Sequence, residues 1–394
     1  MRVIGLMSGT SFDAVDAAAA DLEIRDGTVH LRPLGLVSAP YPAEVVDTLR
    51  SALPPAATTM ATVCRLDTAV GQAFADLAAR ADAELCDGRA ELVVSHGQTV
   101  FHWAEDGRVR GTLQLGQPAW VAERTGLPVV SDLRSRDVAA GGQGAPLVSA
   151  LDVLWLRSRE RASVALNLGG IANVTVVAPG AEPVAFDTGP ASALLDAVVQ
   201  RATGGAEAYD LDGARAAAGH VDADLLAALL AEPYYARPAP KSTGKELFSP
   251  DYLDPFLAGR PALALPDLLA TLTALTAETA AAAVRAAGAV EVVAAGGGTR
   301  NPTLLAALRD RLDGVPLLLS DELGLPAGAK EAYAFALLGY FTLAGLPASV
   351  PSCTGARHAS VLGSLTPGRD GWPRWERPPA RPTQLVVDQD RSSR

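Results

Sequence analysis

The chain has 394 residues, of which 49% are hydrophobic and 20% are charged, and its formal net charge is −11. This length favours two domains, and the hydrophobic fraction is typical of a folded protein rather than a disordered chain. The acidic balance argues against nucleic acid or an anionic membrane surface as the main partner. It does not argue against a nucleotide, because local donors and Mg²⁺ can bind the phosphates.

The cysteines Cys64, Cys86 and Cys353 are scattered without metal-binding spacing. This pattern is typical of a reducing compartment. No basic segment followed by an apolar one opens the chain, so we expect no signal peptide and a cytoplasmic location. The Ala-rich stretch 268–287 predicts a buried amphipathic helix rather than a membrane span.

The apolar run 3–6 predicts a strand that ends in the small polar turn 8–11, Ser-Gly-Thr-Ser, followed by Asp13 and Asp16. Gly9 allows the backbone to approach an anion closely, and a carboxylate can hold Mg²⁺ directly or through water. The segment therefore fits a phosphate site. The alternative is the turn of a plain β-hairpin, which the turn motif taken alone favours.

Strands at 15–22 and 29–37 and helices at 41–53 and 57–83 are predicted next. A strand at 92–95 then ends in His-Gly-Gln-Thr. His96 in this motif and His102 beyond it have no Ser or Cys nucleophile motif nearby, so a hydrolase triad is poorly supported. We expect these histidines to bond sugar hydroxyls or to be structural.

A helix at 118–125 and a strand at 129–131 lead into a glycine-rich loop at 132–144. Arg134 and Arg136 lie in this loop. Arginine is suited to bidentate capture of a carboxylate or phosphate, and a salt bridge between domains is the alternative.

The second half repeats the theme of strands, glycine-containing turns and helices. The predicted elements are strands at 163–168, 174–177 and 292–294 and helices at 193–202, 302–312 and 329–344. We expect two related α/β domains with a cleft between them, where ligands usually bind.

Three turns that contain glycine and small polar residues follow strands, at 8–16, 187–189 and 296–301. Together they fit a nucleotide held from two sides, with a helix N-terminus after the third. The alternative is three ordinary turns, which glycine also favours. None matches the usual P-loop; the segment 241–245, Lys-Ser-Thr-Gly-Lys, lacks the preceding glycine and predicts a loop that contacts an anion or the other domain.

Asp187 is the best candidate for a general base, because it ends a strand where backbone donors can fix its carboxylate. The alternative is an aspartate that caps the following helix. Glu331 is a second candidate acid in the first turn of a predicted helix. Its alternative is an ordinary glutamate favoured there by the helix dipole.

Taken together, these segments resemble the anhydro-N-acetylmuramic acid kinase family of the sugar kinase, Hsp70 and actin superfamily. Eight motifs match in family order between residues 3 and about 363. They are Gly-Leu-Met-Ser-Gly-Thr-Ser with Asp13 and Asp16, Ser-His-Gly-Gln-Thr at 95–99, the loop 132–146, Asn-Leu-Gly-Gly-Ile-Ala-Asn at 167–173, Phe-Asp-Thr-Gly-Pro at 186–190, Pro-Lys-Ser-Thr-Gly-Lys-Glu at 240–246, the Gly-rich turn 296–298 with Asn301-Pro302, and Lys-Glu-Ala at 330–332 with Ala-Phe-Ala at 334–336.

The resemblance implies an α/β, two-domain actin-like ATPase (ribonuclease H-like) fold with an interdomain cleft. We expect residues 1–136 and 351–376 to form the first domain, residues 137–350 the second, and residues 377–394 a disordered tail. The implied reaction uses ATP, water and Mg²⁺ to convert 1,6-anhydro-N-acetylmuramate to N-acetylmuramate 6-phosphate. In the family, the residue matching Asp187 activates water, the residue matching Glu331 positions it, and the residue matching Arg136 lies in the sugar site.

The resemblance also implies ATP-binding residues, with Asp13 and Asp16 as candidate Mg²⁺ ligands, directly or through water. The expected ATP-binding residues are Gly9, Thr10, Ser11, Phe12, Asp13, Ala14, Val15, Asp16, Asn167, Gly169, Gly170, Gly189, Gly296, Gly297, Gly298 and Asn301. Family behaviour also implies a homodimer, and the implied substrate is a small molecule. From the acidic balance we expect neither nucleic acid nor membrane as partner.

The chain departs from the family pattern at a few positions. Ala14 stands where glycine is usual, Ala191-Ser192 replaces Gly-Asn after the candidate base, and Ser135 interrupts a run of arginines. These departures bear on the choice of sugar rather than on the kinase assignment. The alternatives are a carbohydrate kinase of the same fold with another sugar, and an inactive nucleotide-binding regulator.

Overall fold

The computed structural model describes residues 1–9, 12, 14–53, 56–105, 108–244, 247–373, 375 and 377–388. Contacts divide the chain into two compact units, one of Met1–Ser158 with Ala329–Arg394 and one of Arg159–Gly328. The chain therefore leaves the first unit once and returns to it.

The first unit opens with strands and helices up to residue 158. Its strands are β1 (Arg2–Met7), β2 (Ala14–Arg25), β3 (Thr28–Pro40), β4 (Leu92–Ser95), β5 (Gln98–Glu105), β6 (Arg108–Leu115) and β7 (Val129–Ser131). Its helices there are α1 (Ala43–Ala52), α2 (Met60–Leu85), α3 (Pro118–Thr125), α4 (Ser135–Ala139) and α5 (Ser149–Arg157).

The second unit contains the next strands and helices of the chain. Its strands are β8 (Ser163–Leu168), β9 (Ile171–Val177), β10 (Val184–Pro190), β11 (Glu291–Ala295) and β12 (Leu317–Leu319). Its helices are α6 (Ser192–Thr203), α7 (Ala214–Ala218), α8 (Ala223–Leu230), α9 (Asp254–Leu257), α10 (Leu265–Ala286) and α11 (Pro302–Arg311). After it, α12 (Lys330–Leu343), α13 (Pro351–Thr354), β13 (Ser364–Thr366) and β14 (Gln384–Val387) complete the first unit.

Both units contain the same five-strand arrangement. In the first, β1, β2 and β3 form an antiparallel meander, and β4 and β7 extend the sheet parallel to β1. In the second, β8, β9 and β10 form the meander, and β11 and β12 extend it in parallel. This order is that of a ribonuclease H-like unit, and its duplication confirms the expected two-domain actin-like fold.

Helix α12 packs closely on the sheet of the first unit, where glycine makes the contact possible. A Cβ atom on Gly5 in β1 would lie 2.0 Å from the carbonyl oxygen of Ala332, and one on Gly339 would lie 2.1 Å from Val94 in β4. Such distances leave no room for a side chain at either position. They fix α12 on the face of the sheet opposite the core under α1 and α2.

Among the described residues, one helix, α10, is long and apolar enough to cross a bilayer. It is instead packed inside its unit on two sides. Small residues such as Ala277 and Ala281 face the core of the sheet, and Leu269 and Leu272 face the cluster around α6 and α8. A helix that is apolar all round is expected where both sides are covered.

The unit boundaries at 158/159 and 328/329 differ from the expected boundaries at 136/137 and 350/351. The reason is long-range packing, because α12 contacts β1, β2 and β4, and α5 contacts β14 and α12. The expectation of a disordered tail is wrong for Gln384–Val387, because β14 pairs in parallel with β3 and Leu385 is fully buried.

Candidate functional site

A row of polar side chains crosses the meander of the second unit. The register places Asp187 in β10 opposite Asn173 in β9, and Asn173 opposite Asn167 in β8. Because directly paired residues share a face of a sheet, all three side chains lie on the face opposite the apolar core formed by Leu166, Leu168 and their neighbours. Asn167 in turn pairs with Ala295, the last residue of β11.

Asp187 is half-buried and is held by a loop and a tyrosine. The backbone N–H of Thr243 donates to its Oδ2 atom at 2.8 Å, and its own N–H donates to the carbonyl of Lys241 at 3.0 Å. The hydroxyl of Tyr234 donates to the Asp187 carbonyl at 2.8 Å. In the loop expected at 241–245, Thr243 thus donates to the Asp187 carboxylate, while Lys245 and Glu246 lie outside the described residues. The expected contact of this loop with an anion or the other domain stays a prediction.

Gly189 follows Asp187 across a β-bulge and has a φ of +145°. A Cβ atom there would lie 2.8 Å from the ring of Tyr235, so the close approach of this ring requires glycine. Tyr234 and Tyr235 thus contact the strand end on either side of Thr188. This packing explains the glycine without reference to a ligand.

Gly169 and Gly170 form the turn between β8 and β9. The Gly170 carbonyl accepts bonds from the N–H groups of Ala191 and Ala193, and the Gly169 carbonyl accepts one from Ser192. These are backbone contacts at the start of α6. They use no side-chain atom of Ala191 or Ser192, the two residues that depart from the pattern of the resembled family.

Gly296, Gly297 and Gly298 follow β11, and a tight 3₁₀ turn spans Gly297–Arg300. Gly296 has a φ of +92°, and a Cβ on it would lie 2.6 Å from Asn167 Oδ1. Gly297 differs, because a Cβ on it would meet nothing within 4 Å. The turn is thus packed on one side against the end of β8 and open at Gly297.

Asn301 caps helix α11, since its Oδ1 accepts the N–H of Leu304 at 3.0 Å. The side chain lies close to Gly213, where a Cβ would be 2.3 Å from Oδ1. The structure therefore gives Asn301 a role in the helix end. Its expected role in ATP binding stays a prediction.

The opening turn of the first unit is anchored by the amide of Gln98, which is 1% exposed. Its Nε2 donates to the Gly9 carbonyl at 3.1 Å, and its Oε1 lies 2.8 Å from Ser8 Oγ and accepts from the Tyr41 hydroxyl at 3.2 Å. The N–H of Phe12 donates to the same Gly9 carbonyl at 3.2 Å. Thr10, Ser11 and Asp13 lie outside the described residues.

The segment is the loop of a β-hairpin, because Met7 in β1 pairs with Asp16 in β2. Ala14 begins β2 without a positive φ, so its methyl group is accommodated. Val15 is 1% exposed in the core, and the Phe12 ring packs against the same core. A ligand at this turn could therefore contact the backbone of Val15 but not its buried side chain.

Asp16 accepts a hydrogen bond from Ser38 Oγ and lies on the same sheet face as Gly5, over which α12 packs. Among the described residues, no group of three His, Cys, Asp or Glu side chains could hold a metal ion. Mg²⁺ is usually bound by one or two carboxylates and substrate phosphates. Asp16 is a carboxylate of that kind at the opening turn.

Arg134 and Arg136 differ in their surroundings. Arg134 is half-buried and donates from Nη1 to the Gly144 carbonyl at 2.6 Å and from Nε to His96 Nε2 at 2.9 Å. Burial lowers its pKa to about 10, although the carboxylates of Glu331 and Asp137 oppose this shift. Arg136 is exposed on α4, where it is accessible to a ligand.

Asp137 lies in α4 and organises the segment that carries both arginines. It is fully buried, and its carboxylate accepts bonds from the Thr354 hydroxyl at 2.8 Å and the Gly144 N–H at 2.9 Å. A Cβ on Gly142 would lie 2.2 Å from its Oδ2, so the loop folds tightly around this carboxylate. Burial raises the pKa of Asp137, while the hydrogen bonds and Arg134 act in the opposite direction.

Glu331 lies in the first turn of α12, next to a buried ion pair. Lys330 and Asp152 are both nearly inaccessible, and Lys330 Nζ donates to Asp152 Oδ1 at 2.9 Å. This pair joins the start of α12 to α5. Glu331 consequently belongs to the first unit, whereas Asp187 belongs to the second.

The candidate residues that the structure describes fall into two groups by unit. The group of the second unit comprises Asn167, Gly169, Gly170, Asp187, Gly189, Gly296, Gly297, Gly298 and Asn301. Sequence reasoning missed the anchoring role of Gln98 and the contacts of Tyr234 with Asp187. Gln98 belongs to the motif Ser-His-Gly-Gln-Thr at 95–99, and this position could have indicated a role for its amide.

Known proteins are similar to this chain over most of its length. The sequence model of the family described as anhydro-N-acetylmuramic acid kinase matches residues 1–368. A relative of that name from Rhodococcus erythropolis is 62% identical over 98% of this chain and 100% of its own length. Another from Streptomyces coelicolor is 64% identical over 94% and 95%, and one from Salinibacter ruber is 42% identical over 92% and 96%. The chain therefore belongs to the anhydro-N-acetylmuramic acid kinase family.

Proposed function

We propose that this chain is a carbohydrate kinase that uses ATP and water to convert 1,6-anhydro-N-acetylmuramate to N-acetylmuramate 6-phosphate. The observation that carries this proposal is the half-buried Asp187, whose carboxylate accepts the Thr243 N–H and whose backbone carbonyl accepts the Tyr234 hydroxyl. It lies in a chain that matches this kinase family over residues 1–368. A general base has to be a proton acceptor held in position, and a fixed carboxylate is suited to this role.

Asp187 takes a proton from water as the water oxygen bonds to C1 of the sugar. The bond between C1 and O6 breaks, and its electron pair leaves with O6. O6 then bonds to the γ-phosphorus of ATP, and ADP departs. We assign to Glu331 the positioning of this water and to the exposed Arg136 the binding of the sugar. General-base assistance of this type contributes about 10²–10⁴-fold in rate.

The backbone groups of the turn around Gly9 are suited to the ATP phosphates, and the turn 296–298 is suited to the adenosine. Gly297 supports the second assignment, because its surroundings leave open space for a ligand. Mg²⁺, when bound, neutralises phosphate charge, and Asp16 with Asp13 would hold it directly or through water. Phosphoryl transfer depends mainly on such positioning and charge neutralisation.

We further propose that the reaction serves the recycling of peptidoglycan fragments in the cytoplasm, and that the chain acts as a homodimer. The sugar is a wall component, and ATP is an intracellular co-substrate. The scattered cysteines are consistent with a reducing compartment. The molar mass in solution, measured by light scattering, tests the dimer.

A coupled assay of ADP release tests the function directly. Purified protein with ATP and Mg²⁺ is expected to release ADP at a rate that depends on added 1,6-anhydro-N-acetylmuramate, and N-acetylmuramate 6-phosphate is expected as the product by mass spectrometry. N-Acetylmuramate and N-acetylglucosamine serve as control sugars. ADP release that responds to a control sugar instead would indicate a different carbohydrate kinase, and no response to any sugar would contradict the proposal.

A further inference from the structure

The loop 240–244 is attached to its unit by the ammonium group of Lys241. Lys241 Nζ donates to the carbonyl oxygens of Tyr235 at 2.8 Å and Tyr234 at 3.2 Å. It also lies 4.8 Å from the centroid of the Tyr234 ring, within the range of a cation–π contact. Burial lowers the pKa of Lys241, and the nearby Arg237 acts in the same direction.

These contacts continue to Asp187 along two routes. Along the chain, the Lys241 carbonyl accepts the Asp187 N–H, and two residues later the Thr243 N–H donates to Asp187 Oδ2. Through space, the Tyr234 ring under the ammonium carries the hydroxyl that donates to the Asp187 carbonyl. Lys241 and Tyr234 therefore contact each other, and both are connected to the candidate base Asp187.

Tyr234 itself is rigidly placed. It is 1% exposed, and its ring packs edge-on against Phe248 with centroids 6.0 Å apart. A buried tyrosine usually satisfies its hydroxyl with a hydrogen bond, and here Asp187 supplies the acceptor. The hydroxyl thus attaches the end of β10 to the aromatic core of the unit.

We propose that Lys241 and Tyr234 are positioning residues for Asp187, Lys241 by holding the loop whose Thr243 N–H orients the carboxylate, and Tyr234 by fixing the backbone at Asp187. This inference rests on the proposed role of Asp187 as the base. Neither side chain is required to touch the substrate, so both act through Asp187. A misplacement of about 1 Å at a reacting group can cost on the order of 10²-fold in rate.

Two variants and a control test the proposal. Lys241→Met keeps the aliphatic stem over the Tyr234 ring but removes the donors, and Tyr234→Phe removes only the hydroxyl. Arg237→Met is the matched control, because Arg237 also lies near the Tyr234 ring, at 5.7 Å, but is exposed. Lys241→Arg serves as the conservative variant, since its guanidinium retains donors for the two carbonyls.

We expect kcat to fall by about tenfold or more in K241M and by about threefold or more in Y234F, with the KM for ATP within about twofold of the wild-type value. Hydrogen exchange at 240–244 should become faster in K241M, while K241R should recover most of kcat and R237M should resemble the wild type. A merely structural role would change the unfolding temperature without this split between kcat and KM.

Wild-type kcat in a folded K241M, or in Y234F if K241M does not fold, would overturn the inference. So would a fall in kcat without faster exchange at 240–244 in K241M. Failure of the proposed function is a separate result, because the wild-type protein itself would then show no ADP release that depends on the anhydro sugar.

Discussion

Arg134 donates from Nε to the Nε2 atom of His96 at 2.9 Å, while the Nδ1 atom of His96 lies 2.7 Å from the Gly97 carbonyl. A carbonyl can only accept, so Nδ1 carries the proton and Nε2 is the acceptor. The ring is therefore neutral and of defined tautomer. It is 3% exposed and packs 4.6 Å from the Phe335 ring of α12.

This arrangement predicts a loss of stability in mild acid. Burial, and secondarily the charge of Arg134, hold the pKa of His96 well below 6.5. In the unfolded chain the ring binds a proton near pH 6.5, so below that pH the unfolded state binds more protons than the folded state. The free energy of unfolding therefore falls as the pH is lowered below about 6.5.

Denaturant unfolding at pH 7 and pH 5 measures this effect. His96→Gln keeps an acceptor for Arg134 but cannot titrate, so it should lose less stability than the wild type between the two pH values. The comparison separates His96 from buried carboxyl groups such as Asp137. His102→Gln, at an exposed position, is the control. Equal losses in H96Q and the wild type would refute the explanation.

Gln98 should determine the affinity for ATP, because its amide bonds the Gly9 carbonyl and contacts Ser8 at the opening turn. Gln98→Leu leaves the buried hydroxyls of Ser8 and Tyr41 without the amide, at a cost of about 1–3 kcal/mol. We expect the Kd for ATP, measured by calorimetry, to rise about tenfold as the turn loses its anchor. Gln200→Leu, at an exposed position, should bind ATP normally; unchanged affinity in folded Q98L would contradict the assignment.

Asp187→Asn should abolish turnover while leaving ATP binding intact. The amide oxygen can still accept the Thr243 N–H, but the side chain can no longer take a proton from water. Sugar-dependent ADP release should fall about 10²–10⁴-fold, with the Kd for ATP within about twofold of the wild-type value. Asp251→Asn, at a carboxylate that is 80% exposed, controls for the change of charge. A near-normal rate in D187N would remove Asp187 from the role of base.

Local patterns predicted much of the fold and the positions of the turns, because apolar periodicity and glycine act over a few residues. The strands 92–95 and 129–131 and the helix 118–125 agree with β4, β7 and α3. The hairpin of β5 and β6 was missed, since its exposed Phe101 and Trp103 give no clear apolar face and bulges interrupt its register.

Features that depend on distant contacts could not be predicted in this way. The polar, Pro-rich composition near the C-terminus suggested disorder, yet β14 is a strand because the edge of β3 accepts it. The row of Asp187, Asn173 and Asn167 depends on the register of two pairings, which a shift of one residue would destroy. The assignment of α12 to the first unit depends on close packing at Gly5 in β1 and at Gly339 in α12. These two glycines are more than 300 residues apart in the chain.

Lys330 and Asp152 should be strongly coupled in their contributions to the free energy of unfolding, because their side chains form an ion pair and are 2% and 6% exposed. Lys330→Met removes the cation that compensates a buried carboxylate, which typically costs about 3–5 kcal/mol. Replacing both partners, in K330M with Asp152→Leu, removes the charges together and should recover part of that loss. Arg201→Met breaks a pair with Asp254 at about half-exposed side chains and should cost less than about 1 kcal/mol.

Unfolding in denaturant of the wild type, both single variants and the double variant completes a thermodynamic cycle, and the coupling energy is the decisive quantity. Because Lys330 directly precedes Glu331 at the start of α12, K330M should also lower kcat for the sugar-dependent reaction, whereas R201M should not. Additive losses in the two single variants would show that the pair does not act as a unit, and the attachment of α12 to α5 would then have to depend on apolar packing alone.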